Sequence, residues 1–125
     1  ATETWVDKKK TKPLSIKMDE NTELSIKEFK VRLYNLIKAV KKFDAQPILI
    51  TQILGKNHVL FNCLKLINIE TKKFCNEENI NCIPLDEKNN IFTDEDFYDD
   101  VHTRPSGNKK IATYIANEIH NKLNL

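Results

Sequence analysis

The chain has 125 residues, 40% of them hydrophobic and 30% charged, with a formal net charge of +2. That length suits one domain with one core, the charge is too small for a nucleic-acid footprint, and no apolar run is long enough to cross a bilayer. Residues 1–20 are charged and lack the apolar stretch of a secretory leader.

Residues 1–22, punctuated by Pro13, show no sustained periodicity and read as an irregular segment. The basic run of Lys8, Lys9, Lys10 and Lys12 is flanked by Asp7, Asp19, Glu20 and Glu23, which makes it a solvated loop. Ser25-Ile26-Lys27-Glu28 has the form of a capping box, which predicts a helix start there. Apolar residues then recur at Ile26, Phe29, Leu33, Leu36, Ile37, Val40 and Phe43, one stripe at helical spacing. Pro47 ends that helix and introduces Ile48-Leu49-Ile50-Thr51, a run suited to a strand buried on both faces of a parallel sheet.

Gly55 and Asn57 mark a turn before a second helix with Leu60, Cys63, Leu64, Ile67 and Phe74 on its apolar side. Ile80 to Leu85 is the second strand, ended by Pro84. Residues 86–101 are acidic and loop-like, with Phe92, Phe97 and Tyr98 as anchors onto the core. The last helix carries Ile111, Ile115, Ile119 and Leu123 at a spacing of four, with Ala112 and Ala116 beside them for close packing. Helix, strand, helix, strand, helix is an α/β pattern with parallel strands. Two strands alone are marginal, so the remaining strands are expected from a preceding segment or a partner chain that completes the sheet.

Three cysteines, Cys63, Cys75 and Cys82, lack metal-like spacing. Cys63 and Cys82 read as small buried hydrophobes, and a Cys75–Cys82 disulfide stays open as an alternative. His58 and His120 share no ligand geometry with His102, so no metal is expected.

The chemistry-bearing feature is Phe97-Tyr98-Asp99-Asp100-Val101-His102, followed by Gly107 and the last helix. A carboxylate three residues before an imidazole can bond one ring nitrogen and leave the other to move a proton. Five acidic residues, Asp94, Glu95, Asp96, Asp99 and Asp100, crowd this part of the chain, so the spacing alone is a weak signal. Its place after a buried strand of an α/β sheet, where ligand sites form, strengthens it. Asp99 is the expected carboxylate and Asp100 the exposed neighbour.

The whole run from Phe97 to Ala112 resembles the last block of the SGNH (GDSL) hydrolases, D-x-x-H followed five residues on by glycine and an Ile-Ala helix. Tyr34-Asn35-Leu36-Ile37, Ile48-Leu49-Ile50-Thr51-Gln52 and Phe61-Asn62 fit the same order, so the resemblance covers nearly all of residues 24–122. It implies a flavodoxin-like three-layer α/β/α fold whose N-terminal strands are missing, with residues 1–125 forming the C-terminal part of a single domain. It also implies carboxylic-ester hydrolysis through an acyl-enzyme, with His102 as general base and Asp99 as its partner. The resemblance implies a small-molecule or carbohydrate ester as substrate, and no cofactor.

The family's serine lies in a G-D-S block and its oxyanion donors include the Asn of a G-x-N-D block. With only Gly55 and Gly107 in the chain, neither block is present, and the second would fall just before Ala1. Ser15, Ser25 and Ser106 read as loop or cap residues. The chain alone is expected to be inactive or nearly so. The alternatives are a non-catalytic α/β binding module, in which Asp99 and His102 only cap the last helix, and a subunit that completes another chain's sheet.

Overall fold

The structure is a computed structural model and describes residues 19–53, 55 and 59–124. Helix α1 spans Glu20–Lys42, strand β1 Ile48–Ile50, helix α2 Phe61–Glu78, strand β2 Asn81–Ile83 and helix α3 Pro105–Leu123. Two 3₁₀ segments, Leu85–Ile91 and Asp94–Asp96, link β2 to α3. The strands pair in parallel, with Ile48 opposite Asn81, Leu49 opposite Cys82 and Ile50 opposite Ile83. The fold is therefore mixed helix and strand around a small parallel sheet, as the order of apolar periods suggested.

Helix α1 starts earlier than the Ser25 box. Asp19 is its N-cap, with the carboxylate accepting the Thr22 amide at 2.7 Å, and Glu20 and Glu23 sit in the first turn. Aspartate caps as well as serine, and acidic residues there suit the helix dipole, so the helix gains the residues before Ser25. Of the irregular segment, residues 20–22 are thus helical; the basic run, Pro13 and Ser15 lie outside the described residues. Ile37 is buried with Phe74 and Ile80, against partly buried Leu33 and Leu49. Leu36 and Phe43 leave the predicted stripe and are exposed, Phe43 as the C-cap.

The buried face of α2 shares only Phe74 with the predicted apolar stripe, whose Leu64 is half-buried. Asn68, Glu70, Thr71, Phe74 and Cys75 are buried, whereas Cys63, Leu60 and Ile67 are exposed. Burial of these polar groups is offset by bonds. Asn68 accepts the Gln52 amide (3.1 Å) and donates to the Gln52 carbonyl (2.8 Å), and Glu70 pairs with Lys30 at 2.8 Å. The Lys30 ammonium holds the Glu70 carboxyl below its usual range, against the opposing effect of burial.

β1 is also less covered than a strand buried on both faces, with Ile50 exposed, while Ile83 of β2 and Thr51 just after β1 are fully buried. All three cysteines are free thiols. Cys75 is buried, and burial, with a hydrogen bond involving Cys82, pushes its thiol up to about 12.

A second core cluster lies under the last loop. Phe92 and Phe97 are buried with ring centroids 5.5 Å apart, against Ile53, Ile91 and Ile111. Tyr98, expected as a third anchor, is exposed, and the Arg104 guanidinium lies 4.6 Å from its ring centroid. Ile111, Ile115, Ile119 and Leu123 form the half-buried stripe of α3, whereas Ala112 and Ala116 are exposed.

Candidate functional site

The strands run in one direction, so their carboxyl ends lie together. There Thr51 donates its hydroxyl to Asp86 (2.5 Å), and the Asp86 amide donates back to the same oxygen (3.0 Å). Lys72 completes this network at 2.9 Å from the Asp86 carboxylate. The segment after β1 is tied to the Asp99 loop by the Gly55 amide, which donates to the Asp100 carbonyl at 2.9 Å. Asp100 is therefore half-buried and less exposed than Asp99, the reverse of the expectation.

Asp99 and His102 are brought together as their spacing suggested. Asp99 Oδ1 accepts the amides of Val101 and His102, each at 2.7 Å, which closes a tight turn on its own side chain. Asp99 Oδ2 lies 2.8 Å from His102 Nδ1. An ionised carboxylate only accepts, so the ring proton sits on Nδ1 and the Nε2 lone pair is left to take up a proton. The His102 amide and ring, with the Val101 amide, hold the Asp99 carboxyl down at about 2. The pair is solvent-facing, with 74% of the His102 side chain and 56% of the Asp99 side chain exposed.

The turn stands on a narrow neck that the sequence reading passed over. Phe97 and Thr103 form an antiparallel bridge, and the Tyr98 amide donates to the His102 carbonyl at 2.8 Å. The Arg104 amide donates to the Asp96 carbonyl at 2.7 Å, and Arg104 Nε to the Phe97 carbonyl at 3.0 Å. Asp96 is 2% exposed; its Oδ2 accepts the Thr93 amide at 2.8 Å and meets Lys110 Nζ of α3 at 2.6 Å. Helix α3 approaches this closely because residue 107 is glycine: a Cβ there would lie 2.5 Å from the Asp96 carbonyl oxygen.

Beside the turn, Ile50, Ile53, Leu85, Phe97, Val101 and Ile111 line an apolar recess of about 420 Å³. Ser106 lies in the first turn of α3, where it helps to hold the Asp96 carboxyl down, and Ser25 lies within α1; neither is hydrogen-bonded to the imidazole. Ser15 and His58 are outside the described residues. Among the described residues no three His, Cys, Asp or Glu side chains gather as metal ligands, and no helix is long and apolar enough to span a membrane. No protein-family profile, curated protein or solved structure matches the chain.

Proposed function

We propose that this chain is the C-terminal part of an SGNH-type serine hydrolase that cleaves carboxylic esters, with His102 as general base and Asp99 as its orienting acid. The observation that carries the reading is the 2.8 Å contact from Asp99 Oδ2 to His102 Nδ1, made on a turn that the same carboxylate closes. The parallel strands, with the turn after the second of them, support a place in a flavodoxin-like three-layer α/β/α sheet. The other strands, the serine and the oxyanion donors are then supplied by a preceding segment or a partner chain.

In this mechanism Nε2 takes the serine proton as the hydroxyl attacks the ester carbonyl. Asp99 stabilises the resulting imidazolium, which gives that proton to the departing alkoxide and leaves an acyl-serine. Water then repeats the sequence with Nε2 as base, releasing the acid and restoring the serine. The G-D-S and G-x-N-D blocks that carry the nucleophile and oxyanion donors in this reading are absent from the sequence, and a single such donor is worth about 10²–10³ in rate.

The test is hydrolysis of p-nitrophenyl acetate by the product of the complete coding sequence. His102→Ala and Asp99→Asn are each expected to lower kcat by about 10³-fold or more, with folding intact by circular dichroism. Unchanged turnover in folded His102→Ala sinks the hydrolase reading. It would favour a binding module or a subunit that completes another chain's sheet, for which the exposed Ile50 of β1 is the supporting observation.

A further inference from the structure

We propose that Asp96 is the positioning residue of the Asp99–His102 pair, clamping both ends of the loop that carries it. The proposal builds on the hydrolase reading for its purpose, but its geometry stands apart from any reaction. Five contacts converge at the neck. Going into the loop, the Asp96 carboxylate caps the Asp94–Asp96 turn through the Thr93 amide. Coming out of it, the Asp96 carbonyl takes the Arg104 amide at 2.7 Å. Across the neck, Phe97 bridges Thr103 and Arg104 Nε returns to the Phe97 carbonyl. From the side, Lys110 of α3 reaches the carboxylate at 2.6 Å, where Asp96 is almost wholly buried.

Residue 96 is thus bonded to the chain before the loop, the chain after it, and the helix beyond. Four residues of the loop, from Asp99 to His102, are otherwise held by the Asp99 turn itself, the Tyr98 amide to the His102 carbonyl, and the Gly55 amide to the Asp100 carbonyl. An exposed Asp–His pair made only of local bonds would sample many ring orientations. A buried ionic anchor three residues upstream removes that freedom at its base, because the neck sets the direction in which the turn leaves the protein body. Gly107 belongs to the same device, since any side chain there would push α3, and Lys110 with it, away from Asp96.

The readout is the tautomer ratio of the His102 ring, measured by long-range ¹H–¹⁵N correlation on the labelled 125-residue chain above the ring's titration range. In the unaltered chain the Nδ1–H form dominates, held by Asp99. Asp96→Asn keeps an acceptor for the Thr93 amide and removes the ion pair; it is expected to lower the Nδ1–H to Nε2–H ratio several-fold. Lys110→Gln is expected to move the ratio in the same direction and decides the matter alone if Asp96→Asn does not fold. Glu70→Gln, which loosens the chain at the distant α1–α2 contact, is the control and leaves the ratio unchanged.

An unchanged ratio in the folded variants overturns the proposal, and so does an equal shift in the control. Because no substrate is present, these outcomes are independent of whether the complete protein hydrolyses esters.

Discussion

Asp96 and Asp99 sit three residues apart, and each closes a turn by accepting backbone amides while pairing with a basic side chain, yet they are built for opposite ends. The Asp96 side chain is 2% exposed and that of Asp99 is 56% exposed. Burial would raise the Asp96 carboxyl, but Lys110, the Thr93 amide and Ser106 outweigh it and leave it below the usual range. At Asp99 little opposes ionisation, and bonds from the His102 amide and ring bring the group to about 2. Both carboxylates stay charged at neutral pH, one through compensated desolvation and the other through local hydrogen bonds. A buried pair is expensive to break from one side, whereas an exposed pair adds little to stability. Stability therefore resides in the neck and chemical capacity in the turn.

That division can be broken most severely at Gly107. Gly107→Ala places a Cβ 2.5 Å from the Asp96 carbonyl oxygen and 3.2 Å from Asp96 Cβ and Thr103 Cβ. Overpacking against backbone costs about 1–3 kcal/mol, and the better helix propensity of alanine returns at most about 1 kcal/mol. A lower urea midpoint with an unchanged slope is the expected result; an equal or higher midpoint would show that the neck has room to spare.

Acid gives a smaller effect and sharpens the contrast. Asp99 has a folded value of about 2 against an ordinary 3.8, so its contribution is complete above the ordinary range. That contribution is lost as pH falls from about 4 through about 2, because the unfolded chain protonates first. The Asp99 carboxyl ¹³C shift and the Val101 and His102 amide shifts should titrate together near the lower value. A midpoint near 4 would mean that the turn does not hold in solution.

Much of this arrangement was legible in the residues. The four-spaced apolar stripe of α3, the two short strands, the Phe92 and Phe97 anchors and the proximity of Asp99 to His102 all follow from period and spacing, which are local properties. Asp96 was hidden because it is one of five acidic residues between positions 94 and 100, and only the fold brings Lys110 and Arg104 to it. The nearest signal was Thr93-x-x-Asp96, a short capping pattern with aspartate in place of the usual glutamate. The face of α2 was legible only at Phe74 and Leu64, for a related reason. Periodicity counts apolar side chains, but Asn68 and Glu70 are buried because their partners, the Gln52 backbone and Lys30, come from other elements.

The parallel pairing of β1 with β2 has a consequence for solvent exchange. The Thr51 amide donates across to Ile83, and strand alternation turns the Leu49 amide the same way. The amides of Ile48 and Ile50 therefore face the other edge, where no strand lies among the described residues. In deuterated water Leu49 and Thr51 should hold their protons while Ile48 and Ile50 release theirs. Slow release at all four positions would report a further strand laid along β1, a signature that needs neither substrate nor mutation to be read.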